Sequence, residues 1–101
     1  MNPYALDVLP QAREDIASLQ GKDRSVILDA LRIIHATPYR EGTRLTDDMA
    51  GYRRLKKGRH RVFYRVDEDL RLIRILFIGF RKEGDRNDAY RLFRKFIGGK
   101  P

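Results

Sequence analysis

Apolar positions recur along this chain with two different periods, and the changes of period mark its elements. Tyr4-Ala5-Leu6-Asp7-Val8-Leu9 is short, rich in apolar residues and stopped by Pro10, which predicts a strand leading into a helix whose first turn tolerates proline. Ala12, Ile16 and Leu19 then follow at helical spacing as far as Gln20-Gly21, predicting a short amphipathic helix. A second helix is expected from near Asp23, whose carboxylate suits a cap, with Val26, Ile27, Ala30, Leu31 and Ile34 as its apolar stripe and Thr37-Pro38 as its stop. Tyr39 to Gly51 has no period and reads as a connection with a turn of helix around Asp47 to Ala50. Tyr52 to Lys56, Arg59 to Val66 and Leu70 to Gly79 then read as three strands, separated by Lys57-Gly58 and Asp67-Glu68-Asp69, spacings that suit an antiparallel meander. Ile73, Ile75 and Phe77 on one parity and Leu72, Leu76 and Ile78 on the other make the last strand apolar on both faces, as a central strand must be. After the polar loop Lys82 to Asn87, Ala89, Leu92, Phe93, Phe96 and Ile97 return to helical spacing until Gly98-Gly99.

The order β-α-α-β-β-β-α predicts an α+β fold: an antiparallel-dominated sheet, a helical hairpin and a C-terminal helix, with helices covering one face of the sheet and part of the other left open. A chain of 101 residues suits a single domain, 1–101, around one modest core. No run is long enough to span a bilayer, and the amino terminus carries no basic segment leading into an apolar one. Cysteine is absent, which removes disulfides, thiolate nucleophiles and zinc-thiolate sites together and fits a reducing compartment. The expected location is the cytoplasm.

Charge changes this picture. Residues 1–51 hold 6 Lys and Arg against 8 Asp and Glu, whereas residues 52–101 hold 16 against 6, so the net charge of +8 belongs entirely to the second half. Such an excess attracts polyanions and speeds their encounter, which makes nucleic acid the leading partner. The two histidines, His35 and His60, have no evident catalytic partner, and Asp67-Glu68-Asp69 lacks the spacing of a calcium loop, so neither a metal nor a small-molecule cofactor is expected. What remains is the basic block from Tyr52 to Arg65. Strand alternation puts Arg54 and Lys56 on one face and Arg53 and Leu55 on the other, while Arg59, Arg61, Phe63 and Arg65 share a face of the next strand. Crowded cations destabilise a sheet unless an anion compensates them, and a phosphate is the natural one.

This block resembles the signature of the RelE/ParE toxin superfamily, Gly-Tyr/Trp-Arg-Leu-Arg/Lys-x-Gly-x-Tyr/His-Arg-Val-x-Tyr, which here reads Gly51-Tyr52-Arg53-Arg54-Leu55-Lys56-Lys57-Gly58-Arg59-His60-Arg61-Val62-Phe63-Tyr64. Pro10-Gln11-Ala12, Arg44-Leu45, Ile75 to Arg81 and Ala89-Tyr90-Arg91 extend the resemblance along nearly the whole chain. It implies a toxin of a type II toxin-antitoxin system, and in its RelE branch a ribosome-dependent endoribonuclease that cuts messenger RNA in the A site through attack of a ribose 2′-hydroxyl on the adjacent phosphate. Matched by position, the resemblance makes Arg54, Lys56, Arg61, Arg81 and Tyr90 the catalytic candidates, Tyr90 following a longer loop than the family pattern has. Arg53, Lys57, Arg59 and Lys82 are candidate RNA contacts.

The roles follow from chemistry. Arginines held as rigid forks stabilise charge gathering on phosphorus, the task assigned to Arg61 and Arg81. A neighbouring like charge disfavours a protonated ammonium, which makes Lys56 the candidate base. Tyr90 would stack on a base or hold the ribose. The resemblance further implies an acidic, partly disordered antitoxin as partner, together with the ribosome and messenger RNA. Two other readings stay open: a ParE-like inhibitor of DNA gyrase, and a basic nucleic-acid-binding domain without catalysis.

Overall fold

The computed structural model describes residues 3–98. A strand, β1 (Ala5–Val8), leads into helices α1 (Pro10–Ala17) and α2 (Gly21–Ala36). Strand β2 (Thr43–Arg44), a 3-10 turn (Asp47–Met49), and strands β3 (Arg53–Lys57), β4 (His60–Asp67) and β5 (Leu72–Phe80) follow, and helix α3 (Ala89–Gly98) comes last. The strands form one sheet in the order β1-β5-β4-β3-β2, in which β1 runs parallel to β5 and every other pair is antiparallel. The meander and the doubly flanked position of β5 agree with the sequence pattern. Thr43–Arg44 had read as connection, because two exposed residues carry no period.

Local chemistry explains several boundaries. Pro10 opens α1 at a position where its missing N–H removes no helical bond. The start of α2 is Gly21, at φ +52°, and Asp23 lies inside its first turn instead of capping it. The Asp23 side chain is used across the fold: its Oδ1 stands 3.2 Å from His60 Nε2, and the buried His60 ring leans on Phe80. The β3–β4 turn is Gly58-Arg59, one residue later than the pattern suggested, with Gly58 at φ +60° where a left-handed backbone is needed. Arg59 therefore stands at the hairpin tip. Glu68, in the β4–β5 turn, accepts the hydroxyls of Tyr4 and Tyr39 and a guanidinium hydrogen of Arg71. It ties that turn to β1 and to the loop after α2.

The central strands feed two separate cores, and a bulge between Ile75 and Phe77 in β5 turns these two residues, which share one parity and were expected on one face, to opposite faces. Leu55, Val62, Tyr64, Ile73 and Ile75 face Ala12 of α1 and Ile27, Ala30, Leu31 and Ile34 of α2. Phe63 and Phe77 point the other way, onto Ala89 and Phe93 of α3 and Met49 of the 3-10 turn. The helical hairpin thus covers one face. α3 lies on the other, where a single ten-residue helix leaves the ends of β3 and β4 uncovered. Gly79 makes the approach of α3 possible, since a Cβ there would stand 3.1 Å from the Ala89 Cβ.

Candidate active site

The uncovered part of the α3 face is where the cations gather. In the β3–β4 register Arg54 lies opposite Phe63 and Lys56 opposite Arg61, so all four side chains share that face. Arg81 follows β5 directly, and its backbone N–H donates to the Arg59 carbonyl at 2.7 Å, extending the ladder by one residue. Tyr90 arrives from the first turn of α3. Its ring edge meets Phe63 at 5.4 Å, and Phe63 stacks on Phe93 at 4.2 Å. The aromatic core therefore fixes the phenol from below.

Three guanidiniums surround that phenol. Arg54 Nη1 donates to Tyr90 Oη at 2.9 Å and Arg61 Nε at 3.3 Å, while Arg81 Cζ stands 4.8 Å from the ring centroid. A phenolic oxygen has two acceptor sites and one hydrogen. With Arg54 and Arg61 donating to the oxygen, the hydroxyl hydrogen takes no part in either bond. Arg61 is braced further by donating from Nη1 to the carbonyls of Gly58, at 2.8 Å, and His60, at 3.0 Å. A cleft of about 550 Å³ opens over this group, and Lys56, Met49, Arg91 and Arg94 help to line it. A second cleft, of about 680 Å³, adjoins it, with Arg59, Lys82, Glu83 and Asp85 in its walls. Arg61 and Arg81 belong to both and form the ridge between them.

One carboxylate is buried within this cationic cluster, beside the exposed Glu83, whose Oε2 stands 3.5 Å from Arg81 Nη2. Asp88 is 2% exposed. Its Oδ2 accepts Arg81 Nη1 at 2.7 Å and the Tyr90 backbone N–H at 3.1 Å, and its Oδ1 accepts the Lys82 backbone N–H. Burial alone would raise its pKa, but the two backbone donors and the Arg81 guanidinium outweigh burial and hold the carboxyl below its ordinary value. Asp88 remains an anion among cations.

The five catalytic candidates, Arg54, Lys56, Arg61, Arg81 and Tyr90, all line the first cleft. Arg59 and Lys82 line the second. Arg53 and Lys57 have the parity of Leu55 and face away from both. Arg53 is occupied in the fold: its Nη2 donates to the carbonyls of Gly42, at 2.8 Å, and Tyr39, at 3.1 Å, and its Nε reaches the buried Tyr64 hydroxyl at 3.4 Å. The structure therefore separates Arg53 and Lys57 from the expected group of RNA contacts. It adds Asp88, Met49, Arg91 and Arg94, which the strand-centred reading passed over. Asp88 had a visible signal, a carboxylate two residues before the candidate tyrosine, hidden in a loop of mixed charge. Among the described residues Lys56 engages no hydrogen bond or ion pair, so its ammonium is available to a ligand.

Residues 25–101 match the model of the YhaV toxin family, described as a toxin with endonuclease activity, of toxin-antitoxin system. The chain belongs to this family. The matched span includes every strand and helix that builds the toxin's clefts. No curated protein sequence gives a significant match. Among solved structures, the RelBE2 toxin-antitoxin complex from Mycobacterium tuberculosis aligns with a TM-score of 0.72 at 25% identity, covering 78% of this chain and 99% of that one. The YoeB/ParE toxin from Agrobacterium tumefaciens aligns at 0.65 and 25% identity, covering 76% and 98%. The isolated RelE toxin of E. coli aligns at 0.69 with 20% identity over 93% and 98%, a likeness of fold. The toxin thus has the RelE-type architecture that its hairpin signature implied. Among its described residues no helix is long and apolar enough to cross a membrane.

Proposed function

We propose that this toxin is an endoribonuclease that needs no metal and cleaves messenger RNA in the ribosomal A site. The observation that carries the reading is the convergence of Arg54, Arg61 and Arg81 on the Tyr90 side chain, with the Lys56 side chain lining the same cleft. In the proposed reaction the 2′-oxygen attacks the adjacent phosphorus, its proton passes to the neutral amine of Lys56, and the bond to the 5′-oxygen breaks as that oxygen takes a proton from water, leaving a 2′,3′-cyclic phosphate and a 5′-hydroxyl. Negative charge gathers on the nonbridging oxygens in the transition state. Arg61 and Arg81 sit on the ridge between the clefts, where fixed forks would meet that charge without reorganising. The same guanidiniums supply the positive charge that a metal would otherwise bring. Arginine releases a proton reluctantly, so Arg81 acts electrostatically, and the Tyr90 hydroxyl donates to the bound nucleotide.

Dependence on the ribosome follows from what the site lacks. Before substrate arrives, Arg54, Arg61 and Tyr90 bond to one another, and an exposed lysine is a poor anchor for a flexible RNA. Holding the strand in a reactive geometry is worth several orders of magnitude, and a translating ribosome supplies that geometry. Arg59 and Lys82 would bind the phosphates that continue along the second cleft. The RelBE2 structure from Mycobacterium tuberculosis is a toxin-antitoxin complex, and a net charge of +8 suits an acidic antitoxin.

The test is primer extension on messenger RNA incubated with toxin dialysed beforehand against a chelator, with and without translating ribosomes, beside Arg81→Ala and Lys56→Ala. Cuts in A-site codons are expected that need the ribosome, persist with the chelator-treated toxin and fall sharply in both variants. Vigorous cutting of free RNA would overturn ribosome dependence. No cutting under any condition would overturn the nuclease reading and turn attention to DNA gyrase or to simple binding.

A further inference from the structure

Asp88 is the one buried carboxylate among the described residues of the cleft, and its three partners come from three parts of the site: a side chain after β5, the backbone of the following loop and the backbone of α3. A group that served only to cap α3 would take the Tyr90 N–H and stop there. Asp88 also grips one arm of Arg81. Nη1 is held by Asp88 and Nη2 stands 3.5 Å from the exposed Glu83 carboxylate, while Cζ stands 4.8 Å from the Tyr90 ring centroid, where Arg81 lines both clefts. Arg81 shares its cleft with Arg54 and Arg61, and its other carboxylate neighbour, Glu83, is 82% exposed and screened by solvent, so without the buried Asp88 like-charge repulsion favours an outward guanidinium.

We propose that Asp88 is a positioning residue: it sets the orientation of Arg81 toward the scissile phosphate and ties that orientation to the seating of Tyr90 in the same cleft. The proposal rests on the nuclease reading for its catalytic consequence, while the orientation itself is independent of that reading. Asp88 touches no substrate atom. Its effect passes through Arg81, and displacement of a reacting group by about 1 Å is enough to lower a rate on the order of 100-fold.

Asp88→Ser separates the two roles, because a serine hydroxyl can still accept the Tyr90 N–H as a helix cap but brings no charge to Arg81. Two measurements are made on Asp88→Ser, Arg81→Ala and the double variant, with folding followed by thermal melting. In guanidinium NMR, the Arg81 signals are expected to show restrained rotation in the wild type and averaging in Asp88→Ser. In single-turnover cleavage on translating ribosomes, Asp88→Ser is expected to lose on the order of 100-fold, and to add no further loss in the Arg81→Ala background. A residue that acted only through fold stability would lower the rate in both backgrounds. Unchanged Arg81 signals, or a folded Asp88→Ser that cleaves at the wild-type rate, would overturn the proposal. If the wild type cleaves nothing while the Arg81 signals still change, the nuclease reading fails and the hold of Asp88 on Arg81 stands.

Discussion

Arg53 and Arg54 are neighbours in β3 and finish on opposite faces of the sheet, with opposite fates. Arg53 lies under the loop that follows α2 and donates to two backbone carbonyls, which hold that loop against Tyr64. The Tyr64 hydroxyl in turn donates to the Pro38 carbonyl at 2.7 Å, and Gly42 lies so close that a Cβ there would collide with that hydroxyl. Arg54, on the other face, donates to a neutral phenol beside two more guanidiniums. Carbonyls fixed in the backbone give up a guanidinium only if the loop moves. A phenol at the rim of a cleft can share it with a phosphate, whose charge makes the stronger hydrogen bond. The same residue type is thus structural where its acceptors belong to the backbone, and free to serve the proposed function where they can be exchanged.

The largest expected effect lies beneath the functional face. Phe93 is fully buried, stacks on Phe63 at 4.2 Å and meets Tyr52 edge to face at 5.2 Å. Phe93→Ala should destabilise the toxin by roughly 3–5 kcal/mol, the usual loss for an aromatic removed from a packed core. Denaturant unfolding measures this. Phe63 would lose its stacking partner while still touching Tyr90, so cleavage per folded molecule should fall as well. A small loss of stability would mean that α3 is held by its ends and not by this stack.

The comparison between faces is sharpened by exchanging one arginine on each face, Arg61 and Arg53, for alanine. Arg61→Ala should lower cleavage by on the order of 10² to 10³-fold, the range for removing one preorganised donor from a charge-stabilising site, with little change in melting temperature. Arg53→Ala should do the reverse, destabilising the fold by roughly 2 kcal/mol through two lost charged hydrogen bonds and leaving the folded fraction active. If both variants moved the same quantity, the division of labour between the faces would be wrong.

Much of this division was legible in the strand pattern, because alternation groups Arg54 with Lys56 and Arg61 with Phe63 and sets Arg53 and Leu55 apart, while the β3–β4 register puts the two groups on one side. The hairpin turn lay one residue from its expected place, and that shift moved Arg59 to the tip without altering the parity of Arg61. Three features were not legible. β2 is two exposed residues long, too short for any period. The parallel partner of β1 depends on how α1 and α2 cross the sheet, which no local spacing encodes. The engagement of Arg53 depends on the carbonyls of Tyr39 and Gly42, backbone atoms of a connection that the pattern left without structure. Sequence reading found the cations and left open which acceptors they meet. That is why Arg53 stood among the RNA contacts and Asp88 did not appear at all.

The smallest effect compares two aspartates, one on each side of the sheet, that titrate in opposite senses. Asp15 of α1 accepts the Ile78 N–H at 2.9 Å and the Gln11 side chain at 3.0 Å, yet its partial burial outweighs these bonds and raises its pKa above the ordinary 3.8. The folded toxin therefore holds the Asp15 proton where the unfolded chain has lost it, and stability falls as pH rises from 3.8 through the raised value, then levels. Asp88 has its pKa below the ordinary 3.8, so its contribution is complete above 3.8 and is lost as pH falls through the folded value. Asp15→Asn should flatten the decline above 3.8 and leave the acid loss below it, as read from melting temperature against pH. Asp88→Ser should do the opposite. Glu68, whose pKa the Tyr39 and Tyr4 hydroxyls also lower, leaves some acid loss in either variant, so an acid loss undiminished in Asp88→Ser would show that the charge of Asp88 does not hold its face together, and the contrast between the two sides would then rest on the arginines alone.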